Sequence, residues 1–168
     1  PRGSLIRLGT AYYARQDGSG RWVGARRTTP DLARAIADDT LRYFGSAPNY
    51  LFSVADPSIW AQKGSPSIYQ EMSSDGVVTF TRAQNARVEG WLRMRDMMDE
   101  ARKERPERPG LWIFSTDRHF VRTVPVLQFD PRDPDDVDST GEDHVADETR
   151  YACAEIARPP GVARLTGY

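Results

Sequence analysis

Two short apolar runs, YLFSVA (residues 50–55) and LWIFST (111–116), constrain the fold more than any other feature of this sequence. Each is nearly continuous in apolar residues and too short for a buried helix. Such runs suit strands covered on both faces. The first ends at Asp56-Pro57 and the second is preceded by Pro109-Gly110, residues that interrupt a ladder or a helix. Between and around them lie longer stretches with helical spacing. Strands alternating with helices argue for an α/β fold.

The rest of the chain fits that frame. SLIRLGTAYYA (4–14) alternates like a strand, QDGSGR supplies turn residues, and WVGARRTT returns, which predicts an opening hairpin. Thr29 as N-cap, Pro30 at the first helical position and Asp31 in the first turn open a helix that Gly45 stops. Residues 66–74 read as a short helix and GVVTFTRA (76–83) as a strand. A long helix from Asn85 buries Val88, Trp91, Leu92, Met94, Met97 and Met98. Another short helix carries Phe120, Val121, Val124 and Leu127. Residues 130–141 read as a loop, and Ser139-x-x-Glu142 resembles a capping box for a last helix. The expected order is β-β-α-β-(α)-β-α-β-α-α, a mixed sheet with helices on both faces. The folded domain is expected over 1–158, with a flexible tail over 159–168.

Composition excludes several classes of function. A chain of 168 residues fits one domain. The single Cys153 excludes an internal disulfide and a cysteine-based zinc site within the chain. No apolar run approaches the ~18 residues of a membrane span, and no signal-peptide pattern opens the sequence. The start at Pro1, without an initiator Met, suggests a processed chain or a fragment. Net charge is −1, so the molecule as a whole is not a polycation. Its distribution is uneven: arginines concentrate over 82–108 and at 118 and 122, acids over 130–148. A basic zone beside an acidic zone suits a metal-dependent nuclease; solvated faces explain it equally well.

The acids are the candidate chemistry. GEDHVADETRY (141–151) holds four carboxylates and one of the two histidines. On a helix His144, Asp147 and Tyr151 share a face, while Asp143 and Asp147 are one turn apart. A helix N-terminus favours acids and accounts for Glu142 and Asp143. Asp147 lies a turn further in, where that explanation weakens. Asp56 follows an apolar strand, at the end of the strand where α/β sheets bind ligands; a turn Asp before proline is the plainer alternative. Carboxylate oxygens suit Mg²⁺ or Mn²⁺, and acids on a strand end and a helix could hold two ions ~3.5–4 Å apart. Such a pair needs a further acid, for which Glu71 is a candidate. Arg82, Arg87, Arg93, Arg95, His119 and Arg122 are candidate phosphate contacts, and Trp22, Trp60, Trp91 and Trp112 read as core.

Several segments together carry a resemblance: VADPSIW (54–60), PSIYQEM (66–72), GVVTFTRAQNARVEGWLRMR (76–95), LWIFSTDRHFVRTVPVLQFD (111–130) and DDVDSTGEDHVADETRYAC (135–153). In order and spacing they resemble the C-terminal nuclease domain of the large terminase subunit of tailed bacteriophages, over residues 1 to about 155. The resemblance implies an RNase H-like fold and a two-metal endonuclease that cuts concatemeric double-stranded DNA around packaging. It matches Asp56 to the second catalytic acid and Asp147 to the last, with Asp143 and His144 as neighbours of the metal site. It also implies an ATPase domain on the same parent protein, the portal and the small terminase subunit as partners, and the host bacterial cytoplasm as location. The family's first acid lies on a strand just upstream of the segment corresponding to PRGSLIRLG, so this chain is expected to lack it. Two other readings stay open, a non-catalytic DNA-binding or interaction module of the packaging machine and another RNase H-like enzyme such as a junction resolvase. The lost ligand predicts weak or absent cleavage by the chain alone. Robust Mn²⁺-dependent plasmid nicking, abolished by Asp147→Ala, is the result that would contradict it.

Overall fold

The computed structural model describes residues 1–45, 53–62 and 66–156. Part of the strand expected over 50–55, and the tail expected from 159, lie outside them. The elements are β1 (Leu5–Arg7), β2 (Ala14–Gln16), β3 (Trp22–Gly24), α1 (Thr29–Phe44), β4 (Val54–Ala55), α2 (Ile68–Ser73), β5 (Thr81–Arg82), α3 (Arg87–Ala101), β6 (Leu111–Ile113), α4 (Arg118–Thr123) and α5 (His144–Ile156). Short 3-10 turns span Pro57–Trp60 and Val124–Val126. The fold is mixed α/β with small sheets. Among the described residues the strands form three two-stranded ladders, β1–β6, β2–β3 and β4–β5, in place of the single mixed sheet expected.

The chain divides into two compact units. One comprises Pro1–Thr10, Val54–Asp56 and the chain from Arg82; the other comprises Ala11–Ser53 and Pro57–Thr81. The second unit holds the β2–β3 hairpin. Its tip is closed by Asp17, which accepts from the Ser19 amide (2.9 Å), the Ser19 hydroxyl (2.6 Å) and the Arg21 amide (3.1 Å). Thr28, one residue earlier than expected, caps α1 by accepting from the Asp31 amide, and the Gly45 amide closes the helix on Leu41. Ser67 and Gln70 form a reciprocal capping box on α2. Ala33, Met72 and Val78 make this unit's core, with Leu32, Ile36 and Phe80 packed against it.

The first unit is built on β1 and β6, which pair in parallel with Leu5 opposite Leu111, Ile6 opposite Trp112 and Arg7 opposite Ile113. This corrects the expected strand over 4–14. Its apolar alternation is real, but the segment is cut into β1 and β2, which pair with different partners. The break follows from Arg7 and Thr10, both drawn to Asp117. The Asp117 side chain is 1% exposed and accepts from Arg7 Nε (2.7 Å), the Thr10 hydroxyl (2.7 and 2.9 Å) and the Phe120 amide (3.2 Å), the last capping α4. Arg7 also reaches Thr149 (3.1 Å) and Glu148 (3.1 Å) on α5. Burial opposes charge on both groups. On Arg7 it is outweighed by the Glu148 charge and by hydrogen bonds to Glu148 and Asp117, so the guanidinium sits above its ordinary value. On Asp117 it is outweighed by the hydrogen bonds from Thr10, Phe120 and Arg7, so the carboxyl sits below its own.

Helix α3 packs against α5 and β6. Trp91, Met94 and Met97 recur every three residues on its buried side, and Glu100 extends that stripe. Leu92, expected inside, is 52% exposed because it falls off the stripe. Glu100 accepts from the amides of Glu107 (2.8 Å) and Arg108 (3.1 Å) and pairs with Lys103 (2.7 Å). These bonds, Lys103 first, hold its carboxyl down at about 2. They fasten the turn into β6. At Gly110 an added Cβ would lie 2.6 Å from the Trp112 ring, so only glycine fits there.

Asp117 ties β1, α4 and, through Arg7, α5. Asp117→Ala removes the buried carboxylate that Arg7, Thr10 and the Phe120 amide share, while Glu148 stays on Arg7, and should cost about 1–3 kcal/mol in urea unfolding. Because the folded value of Asp117 is lowered, its contribution is complete above the ordinary aspartate value of about 3.9 and disappears as pH falls through the folded value. Acid titration of stability should therefore be shallower in Asp117→Asn than in the parent.

Candidate site around the Asp56 and Asp147 carboxylates

Helix α5 organises the site. It begins at Asp143, whose carbonyl accepts from the Asp147 amide (2.9 Å) and whose side chain is buried. The capping box expected from Ser139 and Glu142 is absent, because stronger partners take both. Ser139 accepts from Arg87 (2.9 Å), and Glu142 receives Arg122 in a two-point pair (3.0 and 2.6 Å).

One turn into α5, Asp147 Oδ1 accepts from Arg150 Nε (3.0 Å) and Nη2 (2.8 Å). Its other oxygen lies 3.6 Å from Arg87 Nη1. Arg150 is fully buried. Its guanidinium lies 5.0 Å from the Trp91 ring and 4.5 Å from the Tyr151 ring, and Nη2 also donates to Asn85 (3.1 Å). Nη1 has no hydrogen-bond partner among the described residues. The aliphatic part of Arg150 fills the space at Gly90, where an added Cβ would come within 2.6 Å of its Cγ.

The next residue brings in Asp56. The Tyr151 hydroxyl donates to Asp56 Oδ2, at the end of β4. Burial, then this bond and the charges of Asp147 and Asp56, push the Tyr151 phenol well above its ordinary value. The phenol therefore stays protonated at any working pH and remains a donor. Tyr151 thus joins Asp56, at the end of β4, to the helix that also carries Asp147.

The other expected residues distribute unevenly. Arg87 is anchored on Asp136 (2.8 Å) and stacked on Trp91. The Asp136 hydrogen bond, then the charges of Asp147, Asp136 and Asp143, hold it above its ordinary value against desolvation. It belongs to the site as an internal anchor. His144 is 82% exposed, with Nδ1 3.6 Å from Asp143 Oδ1, so it stands at the margin. Glu71 lies on α2, in the other unit. Arg93 donates to the Cys153 carbonyl (3.0 Å), which joins α3 to α5. His119 is held below its ordinary value by burial, then by the Arg122 charge, and is a poor cation at neutral pH. Arg82 and Arg95 are exposed.

Asp147 is engaged by two guanidiniums and Asp56 by the Tyr151 hydroxyl. Mg²⁺ is commonly held by one or two carboxylates, with phosphate and water completing its shell. Among the described residues no group of three or more histidines, cysteines or acids is arranged to hold a metal, so this pair alone does not furnish two ions. A cleft of about 280 Å³ walled by Trp91, Met94, Met98, Val124, Leu127 and Val137 lies elsewhere in the unit and is bordered by neither acid.

Arg150, Asn85 and Asp136 escaped the sequence reading. Gly90 was the available signal: a glycine inside a helix costs about 1 kcal/mol and calls for a packing reason. Gly90→Ala should destabilise the protein by about 1–3 kcal/mol through overpacking against Arg150, read as a lower urea midpoint at unchanged slope. No family model, curated protein or solved structure was found that matches the chain.

Proposed function

We propose that this chain is a Mg²⁺- or Mn²⁺-dependent DNA endonuclease domain with an RNase H-like arrangement, of the kind found in viral packaging terminases. The observation that supports this reading best is the Tyr151–Asp56 hydrogen bond, which brings Asp56 to the helix that carries Asp147, ninety-one positions away in the sequence. Two acids on a strand end and on the helix packed against that strand are a suitable donor type for a hard dication. A bound dication supplies Lewis-acid stabilisation of charge developing on a phosphodiester.

The residues of this chain have separable parts in that scheme. Asp56 and Asp147 hold the ion, Asp143 adds negative potential at the start of α5, and exposed Arg82 and Arg95 meet DNA phosphates in a salt-dependent, sequence-tolerant way. The segments that resemble terminases, together with α5 packed against β4, favour duplex DNA as the substrate. A second reading, a non-catalytic DNA-binding or interaction module of a packaging machine, draws on a different observation: two guanidiniums already face Asp147.

Calorimetric Mn²⁺ titration separates the two. The nuclease reading expects saturable binding that Asp56→Asn and Asp147→Asn each weaken at least tenfold, and plasmid nicking, however slow, that requires both acids. Binding indifferent to both substitutions, with no nicking, overturns it in favour of the interaction module.

A further inference from the structure

We infer that the β2–β3 hairpin is a DNA-binding ribbon that enters the major groove of a B-form duplex, held there by arginines on the flanking phosphates. This deepens the DNA reading above and rests on it for the polymer, but on no metal ion. Over residues 15–27 the chain carries Arg15, Arg21, Arg26 and Arg27 against Asp17 alone, a net charge of +3 in a chain whose total is −1. The longer run 82–108 sets eight basic residues against six acids and reaches only +2. Little cancels the hairpin's charge locally. The Asp17 carboxylate closes the tip by accepting from the Ser19 and Arg21 amides, and lies 3.4 Å from Arg21 Nε. Asp39 on α1 accepts from the Tyr13 hydroxyl (2.7 Å) and pairs with Arg42 (3.2 Å). Arg15 and Arg26 are exposed and have no hydrogen-bond or ion-pair partner among the described residues.

The hairpin's shape suits a groove. Ala14 pairs with Gly24, Arg15 with Val23 and Gln16 with Trp22, so a small pair narrows the ribbon at its base. A Cβ added at Gly18, Gly20 or Gly24 would meet nothing within 4 Å. Gly20 supplies the positive φ (81°) that the turn needs. Gly24 sits in a strand, with no described protein atom close enough to require a glycine. A strand glycine of this kind marks a place where another molecule can approach the backbone closely. The major groove of B-DNA is about 12 Å wide and admits a two-stranded ribbon, whereas that of A-form RNA is too narrow to be read. Phosphates then flank the ribbon on both sides, which suits arginines on both faces. Arg15 shares the face of Val23, and Arg26 by alternation shares the face of Gly24. An anionic membrane is a poorer match, because Tyr12, Tyr13, Trp22 and Val23 are all half-buried and leave no large apolar side chain to insert.

The test uses the full chain and a labelled duplex of about two helical turns, read by fluorescence anisotropy in EDTA so that neither metal binding nor cleavage contributes. Arg15→Ala combined with Arg26→Ala should weaken binding about tenfold or more at low salt and make the salt dependence shallower by about two phosphate contacts. Gly24→Val adds a side chain where the protein leaves room and favours a strand. It should weaken binding comparably while melting within a few degrees of the parent. Arg105→Ala, at an exposed arginine outside the hairpin, should bind like the parent. If the double variant matches the parent in affinity and salt slope, the inference is wrong; a loss in Arg82→Ala or Arg95→Ala in the same assay would then leave the DNA reading standing. A parent that fails to bind the duplex at low salt overturns both. Groove insertion is also overturned by Gly24→Val binding like the parent, by a loss that merely tracks a lowered melting temperature, or by an equal loss in Arg105→Ala. Equally tight binding to vesicles rich in phosphatidylserine, dependent on Arg15 and Arg26, would make the hairpin a membrane contact instead and sink the DNA assignment.

Discussion

A guanidinium with no exposed surface governs the first unit. Taking such a charge out of water costs several kcal/mol unless its donors are matched. Arg150 meets that cost with Asp147 and Asn85, and with two aromatic faces. Each partner then constrains something else. Asp147 must sit one turn before Arg150 on α5. Trp91 must lie across from it on α3, and residue 90 must be glycine so that the two helices can approach. Much of the α3–α5 packing is the enclosure that one arginine requires.

A second buried pair, Arg7 with Asp117, does for the strands what Arg150 does for the helices. It explains why β1 pairs with β6, over a hundred residues away, and not with the neighbouring hairpin. Loop closure over that distance is entropically expensive. The pair recovers part of the cost through charge-assisted bonds in a site where each is stronger than in water.

This explains what could be read from the letters. α1, α2, α3 and α5 were legible as helices because their signals are local: a Thr-Pro-Asp start on α1, read one residue late at Thr29, Gly45 as a stop, and the 91–94–97 stripe all lie within a turn or two of what they control. The strands were half legible. Residues 5–7, 14–16 and 22–24 alternate as strands should, but pairing is decided by remote groups, and Asp117 gave no local hint that it would claim Arg7 and Thr10. In the candidate site, the shared face of Asp147 and Tyr151 followed from helical spacing. The exposure of His144 did not, since a residue at the first turn of a helix can splay outward while its neighbours one turn on are enclosed. Arg150 was hidden by convention: an arginine beside acids reads as surface until the glycine opposite it is weighed.

The charges around the start of α5 bear on why such an enclosure would hold acids at all. Among the groups named there, the guanidiniums of Arg87 and Arg150 face the carboxylates of Asp136, Asp143 and Asp147. Asp136 is spoken for, by Arg87 and by the Trp91 indole (2.7 Å). Asp147 is held through one oxygen by Arg150, with its other oxygen at a looser 3.6 Å from Arg87. Asp56 accepts from the Tyr151 hydroxyl, which ties the end of β4 to α5. The arginines thus brace α3, α5 and the loop before α5 against one another through Asp136 and Asp147.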